Sequence, residues 1–371
     1  MAITNTDFQN VALAISAYAD EAYTTEKKLN STGIVGQRDD INADGESFIG
    51  QFRYYKPLAA NINVASLSSA TDGTYTDITT DIANYVKTVR TFGAQQVNMQ
   101  EVVSQQDGLA KIARDFAQVR GDDEGTALMN ILKGVAAYEV ALGDAGGSGN
   151  GGLVGYDTDA DAAATGNFVD INAGGVFGTA AAGSSTARKL FDSTAIGAAR
   201  GERLFQAIGM GFKDYEPDYM YLVTSPEIMA EMRAANLVDD TTVTDGNLNF
   251  STIFGGKFRL VMTRANQMHS AASGDLNAQS TKCTFVVKPG SVTFAPVATP
   301  TPVEVDRDAA AYTGGGSTNI WYRYGFIMHP MGYDWAGATN AFATNASYAA
   351  SASWDRKMDA LNLGILPIFH S

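Results

Sequence analysis

Several stretches of this chain carry residue types and spacings that chemistry uses. Gly147-Ser148-Gly149-Asn150-Gly151-Gly152 satisfies G-x-G-x-x-G. A dinucleotide site needs that spacing between a strand and a helix, where backbone N–H groups can approach a pyrophosphate. Here it follows a helical pattern and precedes loop sequence, so it reads as a floppy loop. Asp157, Asp159 and Asp161 open like a calcium loop, but Ala162 stands where the turn needs glycine and Phe168 where a bidentate glutamate belongs. An EF-hand is rejected and a solvated acidic loop is expected. The histidines, His269, His329 and His370, form no H-E-x-x-H, and no G-x-S-x-G occurs. His329 precedes Pro330 in an aromatic segment and is expected to be packed. Asp39-Asp40 and Asp239-Asp240 are adjacent pairs, which diverge in regular structure and read as turns. Nothing assembles a nucleophile, a base and an oxyanion donor, so no catalytic, cofactor-binding or metal residue is assigned and no enzyme is expected.

Composition narrows the classes further. The 371 residues, 45% hydrophobic and 18% charged, describe a globular chain with a sizeable core. Twenty-six basic against 40 acidic residues give −14, which opposes binding nucleic acid through a general basic face but not enclosing it. Cys283 is alone, so no intrachain disulfide forms. No basic and apolar leader opens the chain and no apolar run approaches ~20 residues, so no signal peptide and no membrane contact are expected.

The elements are organised around residues 45 to 142. Phe48, Phe52 and Tyr54 alternate with Ile49, Gln51 and Arg53, and Tyr75 to Arg90 forms a Thr-, Tyr-, Ile- and Val-rich return. Thr71-Asp72-Gly73-Thr74 between them is a turn signal, so a long β-hairpin arm is expected. An isolated hairpin is marginal in water, which places this one on another subunit. A long helix follows over 96 to 142: Leu109, Ile112, Ala113 and Phe116, then Leu128, Ile131, Leu132 and Val135, fall at helical spacing. A bend or break is expected at Gly121-Asp122-Asp123-Glu124-Gly125.

Upstream, Phe8, Val11, Ala12, Ile15, Ala19 and Ala22 form the apolar stripe of an N-terminal helix. Packing on its own core and docking on a neighbour both fit that stripe. Lys56, on the arm, is solvated or pairs with a neighbour's carboxylate. Downstream, six glycines in 143 to 152 make a loop. A helical pattern over 196 to 209 follows. Tyr219 to Val223, a helix from Thr224-Ser225-Pro226-Glu227, and Phe258 to Thr263 then form a strand–helix–strand unit. Thr284 to Val287 and Ser291 to Phe294 flank Lys288-Pro289-Gly290 as a hairpin. Pro296, Pro300 and Pro302 mark a crossover, Trp321, Tyr322, Tyr324 and Phe326 an aromatic strand, and Leu361 to Ile365 a last strand.

That order of elements resembles the major capsid proteins of tailed bacteriophages, the Hong Kong ninety-seven fold shared with encapsulins. Pro217 to Glu227, Gly256 to Val261 and Trp354-Asp355-Arg356-Lys357 are similar to family segments. The resemblance implies an α+β fold with residues 1–33 as N-terminal arm and 34–95 as extended loop. It implies 96–145 as the spine of a peripheral domain, 146–295 as an α/β axial domain and 296–371 as the peripheral return. It also implies a structural protein of the virion, assembled in the host bacterial cytoplasm into hexamers and pentamers of an icosahedral head around duplex DNA. The expected partners are copies of itself, a portal, a cement protein and, with no long helical pro-segment visible, a separate scaffolding protein. Phe8, Ile15, Phe48, Phe52, Tyr54, Lys56, Asp72, Gly73 and Tyr75 are the expected inter-subunit contacts. An encapsulin-type shell and a β-rich phage tail or binding protein are the competing readings.

Overall fold

One helix carries the fold. In the computed structural model α1 (Gly108–Asp144) runs 37 residues, ~55 Å at 1.5 Å per residue. Residues 32–37, 41, 47–55, 78–97, 108–144, 167–171, 190–191, 202–212, 219–245, 248–263 and 282–370 are described. Phe116, Leu128, Ile131, Leu132 and Val135 of α1 are fully buried or nearly so. The expected break at Gly121–Gly125 does not occur. Arg120 Nε donates to Glu124 Oε1 at 3.0 Å and Arg120 Nη1 to the Tyr322 hydroxyl at 3.1 Å, so the polar run finds tertiary partners and stays helical. The helix also begins later than expected, because residues 96 and 97 end a strand.

Two large sheets pack on α1. The first has six strands. Its ordered path is β1 (Val35–Gln37), β10 (Val292–Val297), β12 (Ser317–Pro330), β3 (Thr80–Val97) and β2 (Ile49–Tyr55), with β11 (Val303–Asp308) beside β12. The return strand of the arm is therefore shifted from the expected 75–90. It is one 18-residue strand whose first part pairs β2 and whose second part pairs β12.

The second sheet has seven strands. They run β4 (Val169–Asp170), β15 (Ile365–His370), β9 (Lys282–Val287), β5 (Met220–Thr224), β8 (Phe258–Met262), β7 (Leu248–Ile253) and β6 (Val238–Asp245). Helix α2 (Glu202–Gly211) buries Leu204, Ala207 and Ile208 in this sheet's core. β5, α3 (Pro226–Ala234) and parallel β8 form the expected unit, with Ser225 capping α3 through Ile228 N. The β6–β7 hairpin is interposed, and Asp239, read as a turn residue, lies in β6. Its Oδ2 accepts from Thr252 Oγ1 at 3.0 Å and Gly255 N at 3.1 Å.

Two expectations on pairing are corrected. β9 and β10 are strands, but they sit in different sheets rather than forming a hairpin. The connection is held by other segments: Gly290 N donates to Gly33 O at 2.8 Å, and Ser291 Oγ to Gly364 O at 3.0 Å. The last strand begins at Ile365, after a short 3-10 turn at Ala360–Asn362, and pairs β9. The chain's closing segment thus returns to the second sheet, and β10 belongs to the first. A short pair, β13 (Tyr333–Trp335) and β14 (Trp354–Arg356), and α4 (Asn345–Ala349) complete the frame against α1.

Candidate assembly surfaces

The arm hairpin alternates as its sequence requires. β2 pairs β3 antiparallel, with Gly50 opposite Tyr85, Phe52 opposite Ala83 and Tyr54 opposite Asp81. Phe52 and Tyr54 are buried, at 5% and 7% exposure, in a cluster with Tyr85, Ala295 and Ile327. The Phe52 ring meets His329 edge-on at 5.4 Å. Tyr85 lies over Gly50, where a Cβ would sit 2.1 Å from its ring. These two expected contact residues are therefore covered within their own chain, at the base of the β2–β3 hairpin. Phe48 is half exposed but meets Phe342 edge-on at 4.9 Å. Lys56, Asp72, Gly73, Tyr75, Phe8 and Ile15 lie outside the described residues, as do residues 147–152 and 157–161.

A polar clamp fixes the direction of that base. Asp334 accepts from Asn84 N at 2.5 Å and from Asn84 Nδ2 at 3.3 Å. Lys357 Nζ lies 2.6 Å from Asp355 and 3.6 Å from Asp334. Its hydrogen bond to Asp355 raises the ammonium's pKa despite desolvation. Burial, helped by the Asp81 charge, pushes the Tyr54 phenol up to about 12. His329 is packed as expected, and Nε2–H donates to the Tyr333 carbonyl at 2.9 Å.

The other side of the hairpin is open. Gln51 faces Asn84, Arg53 faces Ile82 and Tyr55 faces Thr80. Tyr55 is 73% exposed, Ile78 68% and Ile82 41%, with Arg53 exposed among them. Among the described residues this is an apolar ridge carrying one cation, Arg53.

A second open face was not legible as a site. Across β11, β12 and β3 the register aligns Glu304, Trp321 and Gly93, and then Asp306, Asn319 and Gln95. Their neighbours Tyr322, Phe92 and Ile320 point into the core, so this row faces away from α1. The Trp321 ring lies on Gly93, with Cζ3 2.8 Å from where a Cβ would be, and stays 47% exposed. Tyr312, 57% exposed, donates its hydroxyl to Gln95 Oε1 at 3.0 Å. Glu304 pairs Arg323 at 2.7 Å, and Asp306 and Asp308 are exposed beside it. The face is aromatic with an acidic rim. Its signals were the odd position of Trp321 against Tyr322, Tyr324 and Phe326, and the alternation Val303-Glu304-Val305-Asp306.

Among the described residues no group of three or more His, Cys, Asp or Glu side chains could hold a metal ion. Cys283 is buried, and burial pushes its thiol well up.

No protein-family model matches the chain, and no curated protein does. Solved structures do. The capsid of Ralstonia phage GP4 aligns over 94% of this chain and 91% of its own, at 10% identity and TM-score 0.51. The capsid asymmetric unit of Cyanophage Pam1 aligns over 94% and 92%, at 11% identity and TM-score 0.48. A structure of Mycobacterium phage Che8 aligns over 92% and 91%, at 9% identity and TM-score 0.47. The GP4 likeness shows that this chain has an α+β phage-capsid fold over nearly its whole length.

Proposed function

We propose that this chain is the major capsid subunit of a tailed phage, a structural protein and not an enzyme, which assembles through hexamers and pentamers into an icosahedral head around duplex DNA. The observation that carries the reading is the capsid fold, matched over 94% of the chain to the GP4 capsid. The two open faces support it. The arm's ridge is apolar with Arg53, and the β11–β12–β3 face is aromatic with Asp306 and Asp308. They belong to one chain and are different surfaces, so docking one on the other between copies is heterologous, the type of contact that builds rings when its rotation closes. Many such contacts at once give avidity even where each is modest. A net charge of −14 suits a wall that holds packed duplex without adhering to it.

In this reading residues 1–33 are an N-terminal arm and 34–95 the extended loop, 96–145 the spine and 146–295 the axial domain. The return, 296–371, contributes β11 and β12 to the peripheral sheet and gives β15 back to the axial one. A separate scaffolding protein, a portal and a cement protein are its partners, and the host cytoplasm is its place of assembly.

Charge exchange tests the docking. Arg53→Glu is expected to lower the yield of closed shells at least tenfold while leaving soluble subunit, because a like charge now meets the acidic rim. Asp306→Arg in the same chain is expected to restore part of that yield. Wild-type yield from Arg53→Glu alone refutes this docking.

A further inference from the structure

Two polar clusters on α1 have no part in the open faces. The first is at Asp123 and Glu124. Tyr324 OH donates to Asp123 Oδ2 at 2.9 Å, Asn345 Nδ2 donates to Oδ1 at 3.2 Å, and Arg90 Nε lies 3.4 Å away. Through Tyr324 and Arg90 it grips β12 and β3 of the first sheet. The second is at Glu139, fully buried. Arg356 Nη1 donates to Oε2 at 2.8 Å, Asn167 N to Oε2 at 2.6 Å and Tyr333 OH to Oε1 at 2.9 Å. Asn167 Nδ2 in turn donates to Ile365 O of β15 at 2.9 Å. Through Asn167 the cluster reaches the second sheet, and through Tyr333 and Arg356 the β13–β14 pair. The two clusters are 16 residues apart, ~24 Å along the helix axis.

We propose that Glu139 is a positioning residue that, with the Asp123–Glu124 cluster, fixes the angle between the two sheets on α1, a lock that folding itself does not need. The sheets are already held by apolar packing: one continuous core contains α1 residues together with Phe285 and Val287 of the second sheet and Tyr322 and Phe326 of the first. Such packing is strong but weakly directional. A buried ion pair is the converse, since desolvation offsets its attraction and an aliphatic pair is often as stable. Burial pushes the Glu139 carboxyl upward, against the pull of Arg356 and the Asn167 N–H. What the three donors supply is direction, because hydrogen bonds fail when their geometry rotates. Tyr138 adds to the same joint: its hydroxyl donates to Asp355 Oδ1 at 3.2 Å and accepts from Arg356 N at 3.2 Å.

The test is a distance distribution. Spin labels go on Lys257→Cys and Arg307→Cys, exposed positions beside β8 and in β11, in the otherwise wild-type chain and in two variants. One variant is Glu139→Leu with Tyr333→Phe and Arg356→Met; the milder one is Glu139→Gln. The expected result is an unchanged circular dichroism spectrum with a label-to-label distribution at least twice as broad in the triple variant, and intermediate in Glu139→Gln. A distribution as narrow as wild type in both variants overturns the lock, and so does loss of folding in both. A second readout, broadening of shell diameters, rests on the capsid reading. If wild-type protein forms no shells that reading fails alone, and the distance result still decides the lock.

Discussion

Replacing Gly134 by alanine should weaken this protein, although alanine is the better helix former. Gly134 lies inside α1 where the 348–354 segment crosses. A Cβ there would sit 2.0 Å from the Tyr348 carbonyl oxygen and 2.5 Å from Trp354 Nε1. Those two atoms are bonded to each other, Trp354 Nε1–H donating to Tyr348 O at 2.9 Å, and both rings are buried. Restoring ordinary contact at 3.4 Å moves the carbonyl by about 1.4 Å, and a backbone atom cannot swing aside as a side chain does. The helix gains about 1 kcal/mol from the exchange. Overpacking costs about 1–3 kcal/mol, and a stretched buried hydrogen bond about 1–3 kcal/mol. The net is a loss of about 3 kcal/mol. Gly209→Ala is the control, because nothing lies within 4 Å of its Cβ in α2. It should gain about 0.5–1 kcal/mol. Urea unfolding followed by circular dichroism reads both. If Gly134→Ala is stabilised as much as Gly209→Ala, the close crossing is wrong.

Alkali gives a further expectation. Burial raises Tyr54 and Tyr348 from 10.0 to about 12 each. The unfolded chain therefore loses these protons first, and the stability they contribute is intact below pH 10 and lost as pH rises through about 12. Each phenol accounts for about 2–3 kcal/mol of that loss, and Tyr54→Phe should flatten the unfolding profile between these limits. Acrylamide quenching checks the docked face, since Trp335 and Trp354 are 3% and 2% exposed against 47% for Trp321. Quenching should be efficient in isolated subunits and at least halved in assembled shells; equal quenching in both would leave that face uncovered.

Sequence periodicity revealed the β2–β3 pair and the helix because both are amphipathic over many residues. Phe52 and Tyr54 were on one side of β2 as the alternation required, yet what covers that side, Ala295, Ile327 and His329, comes from more than 240 positions away. Local pattern cannot separate a neighbour's surface from a distant part of the same chain. The same limit explains β9 and β10: Lys288-Pro289-Gly290 is good turn chemistry and the turn does close, Ser291 N donating to Lys288 O at 3.3 Å, but the strands on either side of it pair distant segments, β9 with β15 and β5, and β10 with β12 and β1. Gly121–Gly125 looked like a break because its glycines and acids disfavour helix, and tertiary partners outweighed that propensity. The two buried clusters did leave a trace. Glu124 and Glu139 stand at helical spacing from Leu128 and Val135, on the apolar stripe of α1, and an acid on such a stripe calls for a buried partner.

The most direct measurement is negative-stain microscopy of the purified protein, produced alone and together with its genomic neighbours. The capsid reading predicts closed shells tens of nanometres across, with duplex DNA as their content when the phage proteins are complete. Shells filled instead by one enzyme would point to an encapsulin. A monodisperse monomer under every condition would contradict the account and leave the arm to another partner.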